Sequence, residues 1–409
     1  MTPAARLQMV IEILDAAQHT GQPLDRFLKQ WFAARRFAGS KDRRAIAETV
    51  FTIQRSRAQL GHRMGASGGR SLVIALVAGQ GGNLDGLFSG GYGPAPLTGE
   101  ERERLAHDAA AMPDWVRGEY PPWLEDDLRA AFGPALVAEM EALQARAPVD
   151  LRVNTLKAAR PAVLAALQEQ GFAATPTPWS PVGIRIPPGQ GAGLAALPLF
   201  TEGAIEFQDE AAQIAALLAD AQPGMAVLDL AAGAGGKALA MAAAMENRGT
   251  ITAFDSDLRR LAPLAARVAR AGASIVHVGQ KPFDGALFDR VFVDAPCSGT
   301  GTWRRQPELR WRLTPERLAE LTRVQDGLLD EAARLTRPGG MILYATCSLL
   351  AAENHERIAA FLARQPGFLP ANLAETGGLG AVPGLEQDFR ASPARTGTDG
   401  FFAAGLVRA

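Results

Sequence analysis

The sequence of 409 residues predicts an α/β fold built on a doubly wound parallel sheet, with a small α/β subdomain and an all-α domain before it. Two patterns indicate this class. After residue 200, short apolar strands alternate with amphipathic helices, whereas the first 147 residues show apolar positions at helical spacing. The chain also exceeds one ordinary core of roughly 100 to 200 residues. We therefore expect three domains, at residues 1–147, 148–203 and 204–409.

The first domain is predicted to be a helical bundle. Its apolar residues follow the helical repeat, as in Leu7, Val10 and Leu14, with few β-branched runs or hairpin signals. A glycine-rich stretch at residues 79–96 marks a loop, after which helical patterning resumes.

The two later domains are predicted to combine strands and helices. In the second, LRVNTL and GIRIPP have the pattern of strands, and ARPAVLAALQEQG has helical spacing closed by a glycine. The strands of the third domain alternate with helices and are MAVLDL, GTITAFD, ASIVHV, FDRVFVDAP and MILYATCS. The terminal DGFFAAGLVR predicts a strand that closes the edge of the sheet.

The amino-acid composition limits the classes of protein to which the chain can belong. With 47% apolar and 21% charged residues, the chain is expected to be globular with full cores. It contains no run of about 18 apolar residues, and acids interrupt its apolar N-terminal segment, so we expect a cytoplasmic protein without a membrane span or signal peptide. Two cysteines and five histidines are poor material for a zinc site, and no metal is expected.

Basic residues are concentrated in two runs although the formal net charge is -1. Each run could be a solvated helix face, but two of them in a neutral protein favour a phosphate backbone as partner. The first run comprises Arg26, Lys29, Arg35, Arg36, Lys41, Arg43, Arg44, Arg55, Arg57 and Arg63. The second comprises Arg304, Arg305, Arg310, Arg312, Arg317 and Arg323.

A loop of small residues follows the strand AVLDL and predicts a ligand site. Small residues let a ligand approach the backbone, and the amides at the next helix start suit an anionic or polar group. Asp255 ends the next strand, where a carboxylate can accept both hydroxyls of a ribose. An NAD-dependent enzyme is one alternative, but the loop lacks the G-x-G-x-x-G spacing; a helix N-cap is the structural alternative for Asp255.

Both cysteines also follow predicted strands. Cys297 lies in DAPCSGTG and Cys347 in TCS. Because parallel strands present ligand sites at their carboxyl ends, we expect the two thiols in one site with the loop. A structural disulfide is the alternative, which a cytoplasmic location disfavours.

These two motifs resemble the signature motifs of the RNA 5-methylcytosine methyltransferases of the NOL/NOP/Sun family, in particular the bacterial ribosomal small-subunit type. The resemblance extends from about Asp150 to the C-terminus through LRVNTLK, FQDEAA, RRQPELRWRLTPERLAEL, LTRPGGMILYATCSLLAAENHERI and DGFF. The N-terminal region resembles, more loosely, the RNA-binding domain of transcription antitermination factors.

The resemblance implies a Rossmann-like class I methyltransferase that uses S-adenosyl-L-methionine to methylate C5 of a cytosine, with 16S ribosomal RNA as substrate. C5 is a weak nucleophile until a thiolate adds to C6 and turns the ring into an enamine. Chemistry alone does not choose between the cysteines; the resemblance makes Cys347 the nucleophile and Cys297 the residue that assists release. Asp294 suits a proton or hydrogen bond at ring N3.

The resemblance also implies an RNA partner and a cofactor held by Ala231, Ala232, Gly233, Ala234, Gly235, Gly236, Lys237, Asp255, Arg260, Gln280 and Asp294. We further expect a monomer with no membrane partner. The chain departs from the family at two points. The loop lacks the proline of Cys-Ala-Ala-Pro-Gly-Gly-Lys, so we expect a looser loop. Gln280 stands where an acid is expected near the adenine; its carbonyl oxygen can still accept from the amino group, with Asp284 as an alternative.

Two other functions remain open from the sequence. A ribosome-assembly factor that binds RNA without catalysis would explain the altered loop, although it would have no need of two cysteines at strand ends. Transfer RNA is the alternative substrate. Methylation of a protein glutamine is disfavoured, because an amide nitrogen needs no covalent intermediate.

Overall fold

The computed structural model describes residues 1–107, 111–280, 283 and 285–409. The chain forms two compact units: Met1–Ala145 with Trp303–Arg312, and Arg146–Thr302 with Leu313–Ala409. The segment 303–312 thus groups with the helical unit, whereas the sequence analysis included it in residues 204–409. The predicted subdomain 148–203 groups with the predicted parallel sheet in the second unit.

The first unit is helical. Its core contains Ile13, Leu14, Leu72 and Val73, all fully buried. The helices are α1 (Pro3–Ala17), α2 (Leu24–Ala33), α3 (Ser40–Arg55), α4 (Arg57–Met64), α5 (Gly69–Gly79), α6 (Leu84–Leu87), α7 (Gly99–Ala106), α8 (Asp114–Arg117), α9 (Glu125–Phe132) and α10 (Leu136–Ala142).

The segment Trp303–Arg312 packs into this helical unit through buried polar contacts. Arg310 is fully buried; it donates to the carbonyl oxygen of Glu119 at 2.9 Å and lies 5.3 Å from the centre of the Trp303 ring. Glu308 accepts from the backbone N–H of Leu24 at 2.9 Å. The second basic run is therefore not one solvated face, because Arg304 is buried along with Arg310.

The second unit begins with a small antiparallel sheet in the order β2-β3-β1-β4. Leu151, Ile184 and Ile205 of this sheet pack against Leu167 of helix α11. The elements are β1 (Val149–Val153), α11 (Arg160–Glu169), β2 (Thr175–Pro176), β3 (Gly183–Ile186), α12 (Pro198–Thr201) and β4 (Ile205–Phe207).

The main sheet has the order β10-β12-β9-β8-β5-β6-β7, with β11 paired to β12. Its elements are α13 (Glu210–Leu218), β5 (Ala226–Asp229), α14 (Gly236–Ala244), β6 (Thr250–Ala253), α15 (Leu258–Leu261), α16 (Leu264–Ala271), β7 (Val276–Val278), β8 (Phe288–Asp294), α17 (Pro315–Leu335), β9 (Thr336–Thr346), α18 (His355–Arg364), β10 (Phe368–Pro370), β11 (Phe389–Ala391), α19 (Pro393–Thr396) and β12 (Phe401–Arg408).

Strands β5 to β9 run parallel, and the sheet is covered on both faces. Val227 packs with α13, α14 and α16, whereas the next residue, Leu228, packs with α17 and α18. This alternation is that of a doubly wound sheet, so the predicted fold class is confirmed. The prediction of an edge position for DGFFAAGLVR is wrong, because β12 lies between β9 and β10 and pairs with both.

Within the described part of the chain, no helix is long and apolar enough to cross a membrane.

Candidate active site

The glycine loop, residues 231–237, connects β5 to α14 at the carboxyl end of the sheet. Gly233 and Gly235 adopt positive φ angles of 52° and 82°. A Cβ on Gly235 would lie 2.2 Å from the side chain of Leu264, so this turn excludes larger residues. Gly235 is the N-cap of α14, which begins at Gly236.

Two arginines, the buried Arg152 and the half-buried Arg267, hold the carbonyl oxygens of this loop. Arg267 of α16 donates to the oxygen of Ala234 at 2.7 Å, and Arg152 of β1 donates to that of Gly236 at 2.8 Å. Glu206 of β4 pairs with Arg267 at 2.9 Å and also with Arg270. The sequence analysis missed these arginines. They restrain the loop by charge-assisted hydrogen bonds where the family has a proline.

Asp255 follows β6 and is nearly fully buried. Its carboxylate accepts from the backbone N–H of Gly233 at 3.0 Å and from that of Asp257 at 2.9 Å. Arg260 reaches the same carboxylate at 3.2 Å. The N-cap of α15 is Asp257, so Asp255 does not cap that helix but joins the loop to the end of β6.

The two residues expected near the adenine lie after β7. Gln280 is exposed there, two residues beyond Val278. Asp284 lies outside the described residues.

Asp229, the last residue of β5, is a fully buried carboxylate that the sequence analysis did not single out. Its oxygens form no well-aligned hydrogen bond with the described residues. Burial raises the pKa of Asp229 to about 7, and the charges of Asp294 and Asp255 add to the rise while Lys237 opposes it. The acid ending the strand before the glycine loop was the signal that could have identified it.

Lys237 and Asp294 form an ion pair between α14 and β8. The Lys237 Nζ and Asp294 Oδ2 atoms are 2.6 Å apart. Burial acts to lower the pKa of Lys237, but the charge and hydrogen bond of Asp294 and the charge of Cys347 outweigh it, so this pKa is raised. Lys237, predicted as a cofactor contact, therefore lies beside the acid and thiol of the predicted chemistry.

The two cysteine sulfurs lie 3.4 Å apart, as free thiols. Cys297 follows β8 and Cys347 follows β9, and these neighbouring parallel strands bring the two residues together. The hydrogen bond to Cys347, burial, and the charges of Cys347 and Glu353 raise the pKa of Cys297 well above its usual range.

Comparison with known proteins agrees with this arrangement. The model of the family described as 16S rRNA methyltransferase RsmB/F matches residues 215–407, and that of an RsmF/B-like ferredoxin-like domain matches 120–190. Two proteins named ribosomal RNA small subunit methyltransferase B are similar to this chain. That of Sodalis glossinidius is 37% identical over 75% of this chain and 70% of its own length. That of Pseudomonas putida is 35% identical over 72% and 67%.

The chain belongs to the RsmB/F methyltransferase family. The resemblance noted in the sequence is thus confirmed, and so is its enzyme class, an RNA methyltransferase. A solved structure, that of PH0851, is 26% identical with a TM-score of 0.78, and the match covers 100% of this chain and 99% of that one. In this member of the RsmB/F family, the cysteine of DAPCSGTG and the cysteine of TCS contact each other through their sulfur atoms.

Proposed function

We propose that this RsmB/F family member methylates C5 of a cytosine in 16S ribosomal RNA through a covalent adduct on Cys347. The observation that carries the proposal is the contact between the Cys297 and Cys347 sulfurs at the carboxyl ends of β8 and β9. A scaffold without chemistry has no physical need of two touching thiols beside a half-buried lysine–aspartate pair.

The charges around the glycine loop fit S-adenosyl-L-methionine. Asp229 and Asp294 end β5 and β8, Asp255 follows the neighbouring β6, and Lys237 opposes Asp229 and Asp294. A ligand with a sulfonium and an ammonium group would offset the excess negative charge. We propose that the loop residues 231–236 and Asp255 hold it, with Arg260 supporting the loop and Gln280 near the adenine. The cofactor supplies an electrophilic methyl group.

The residues of the chain then act in a set order. Cys347 Sγ, as a thiolate, bonds to C6, and the displaced electron pair moves into the ring, where N3 accepts a proton. Asp294 and the Lys237 ammonium paired with it are the groups we propose at this edge of the ring. After C5 carries the methyl group, Cys297, by then a thiolate, takes the C5 proton. The C6–Sγ bond breaks with its electron pair returning to Cys347, and N3 returns its proton to the Asp294–Lys237 pair.

The charges around the two thiols also favour Cys347 over Cys297 as the nucleophile. The chemistry inferred from the sequence alone did not choose between the two cysteines. A negative charge on Cys347 is one of the interactions that stabilise the Lys237 ammonium. Cys297 faces opposition to ionisation from its neighbour and from Glu353. Cys297 is therefore the less favourable of the two as the attacking thiolate.

We propose that RNA contacts the first basic run. Arg36, Lys41 and Arg44 are exposed around the turn between α2 and α3, and Phe37 of the same turn is 72% exposed. Cations neutralise phosphates, and an exposed aromatic ring can stack on an unpaired base. A cytosine in a stem must be extruded to reach the thiols.

A single chain supplies every catalytic and cofactor residue named above, so we propose a monomer. The enzyme would act where 16S ribosomal RNA is assembled, in the cytoplasm.

The test is a methylation assay with radiolabelled S-adenosylmethionine and purified 16S ribosomal RNA, 30S particles or transfer RNA, followed by bisulfite sequencing of the product. We expect one cytosine of 16S ribosomal RNA to be methylated. Labelling of transfer RNA alone would overturn the substrate, and absence of cofactor binding would favour a non-catalytic RNA-binding factor.

A further inference from the structure

Glu353 is a fully buried carboxylate that the chemistry above does not use. It ends a short 3-10 helix, Ala351–Glu353, that follows the turn containing Cys347. Burying a carboxylate is costly unless hydrogen bonds replace its water. The groups that contact the Glu353 carboxylate therefore indicate its role.

Uncharged donors surround both oxygens of Glu353. Oε1 accepts from the backbone N–H of Ser298 at 2.8 Å and from the side-chain amide of Gln325 at 3.0 Å. Oε2 accepts from the hydroxyl of Ser348 at 2.5 Å and from that of Ser298. Ser298 directly follows Cys297, and Ser348 directly follows Cys347. One carboxylate thus joins the two cysteine turns.

Further hydrogen bonds close the same junction. The Thr300 hydroxyl lies 3.2 Å from that of Ser348 and accepts from the N–H of Leu349 at 2.8 Å. The N–H of Gly301 donates to the carbonyl oxygen of Cys347 at 3.0 Å. The turn after β8 is therefore fixed to the turn after β9 by hydrogen bonds at several successive residues.

The titratable groups around the thiols come from four elements. They are Lys237 of α14, Asp294 of β8, Tyr344 of β9 and Glu353, with Asp326 and Arg357 farther along near Tyr344. Glu353 opposes a negative charge on Cys297, whereas Lys237 is stabilised by one on Cys347.

We propose that Glu353 is a positioning residue that holds the two thiols in contact and keeps Cys297 protonated while Cys347 carries the charge. The inference rests on the proposed function. It also gives the order of proton transfers. When Cys347 bonds to C6, its charge passes to the ring and no longer opposes ionisation of Cys297. Cys297 then releases its proton to solvent and can accept the C5 proton.

The test is site-resolved alkylation of the free enzyme by iodoacetamide across a pH series, followed by peptide mass spectrometry. In the wild type we expect Cys347 to react faster at neutral pH. In Glu353→Gln, the pH midpoint for Cys297 should fall, so that Cys297 reacts severalfold faster at neutral pH. The matched control is Glu356→Gln, an exposed acid three residues away, which should leave the midpoint unchanged.

Two further variants keep the inference testable if Glu353→Gln does not fold. Cys347→Ala removes the neighbouring thiol and should lower the Cys297 midpoint. Ser298→Ala removes one hydroxyl but keeps the carboxylate charge, so it should slow release of the covalent RNA adduct without lowering that midpoint. A Cys297 midpoint that is the same in the wild type and Glu353→Gln, or is lowered by Ser298→Ala, overturns the role of Glu353.

The alkylation result is independent of turnover, so the two proposals can fail separately. A wild type that forms neither methylcytosine nor adduct on any RNA overturns the proposed function. A wild type that is active, with a Glu353→Gln variant of unchanged thiol titration, overturns only the inference about Glu353.

Discussion

The glycine loop and the two cysteine turns lie at the same edge of the sheet but are held by different chemistry. Arg152 and Arg267, from β1 and α16, hold the loop by its carbonyl oxygens. The cysteine turns are held by hydroxyls and by the carboxylate of Glu353. The loop therefore depends on charged groups from other layers of the unit, whereas the turns depend on near neighbours. We infer that cofactor binding and the covalent step can be damaged separately.

The largest expected effect is on the cysteine side. Cys347→Ala should lower methyl transfer by on the order of 10³-fold or more, because no other group can form the C6 bond. The cofactor dissociation constant, measured by calorimetry, should change by only a few fold. Retained turnover would show that another residue is the nucleophile.

On the side of the glycine loop, the buried Asp229 should make the free energy of unfolding depend on pH. The pKa of Asp229 is about 7 in the fold and 3.8 in an ordinary aspartate. Below pH 4 the group is protonated in both states; between pH 4 and 7 only the unfolded chain ionises, so the free energy of unfolding falls as pH rises. The loss is at most about 4 kcal/mol.

Urea unfolding at pH 4.5 and 8 measures this difference in the free energy of unfolding. Asp229→Asn should flatten the pH dependence, while the control Asp330→Asn, at an exposed side chain, should follow the wild type. An equally steep fall in Asp229→Asn would place the titrating group elsewhere.

Cys297→Ala separates the proposed roles of the two cysteines. Addition and methylation should proceed, but loss of the C5 proton should slow by about 100-fold or more, as expected for removal of a general base. A covalent protein–RNA adduct should then persist on denaturing gels. Normal turnover without an adduct would contradict the release role.

Arg267→Ala tests the loop side directly. Loss of a charge-assisted hydrogen bond to the Ala234 carbonyl should weaken cofactor binding by about 1.5 to 3 kcal/mol, with less effect on the rate at saturating cofactor. Arg259→Ala is the control, because Arg259 is 92% exposed and pairs with Asp257. Unchanged affinity in Arg267→Ala would mean that the loop needs no arginine restraint.

The smallest effect concerns RNA. Lys41→Glu combined with Arg44→Glu should reduce the slope of log affinity against log salt by about 1 to 2, since each phosphate contact contributes about 0.7 to 0.9. Arg317→Glu with Arg323→Glu, at exposed positions of the second run, is the comparison. An equal loss from both pairs would show that RNA contacts the two runs alike.

The sequence was a good guide to the fold and a partial guide to the site. The alternation of strands and helices predicted the doubly wound sheet, and the motif positions predicted that Cys297 and Cys347 share one edge of it. The position of β12 was wrong because a terminal strand carries no signal for a partner such as Phe368 of β10. Asp229 and Arg152 were missed because burial of a charge is not visible in spacing, and Arg267 because its partner Ala234 is distant along the chain.

By itself the sequence determined which residues meet at one edge of the sheet. They follow adjacent parallel strands, whose carboxyl ends lie at the same edge however the side chains pack. Only the tertiary structure decided which groups meet there. Lys237 of the glycine loop pairs with Asp294 of β8, and Arg310 of the second basic run is buried in the helical unit. Such choices depend on burial and on partners distant along the chain, which fix where a charge can be neutralised.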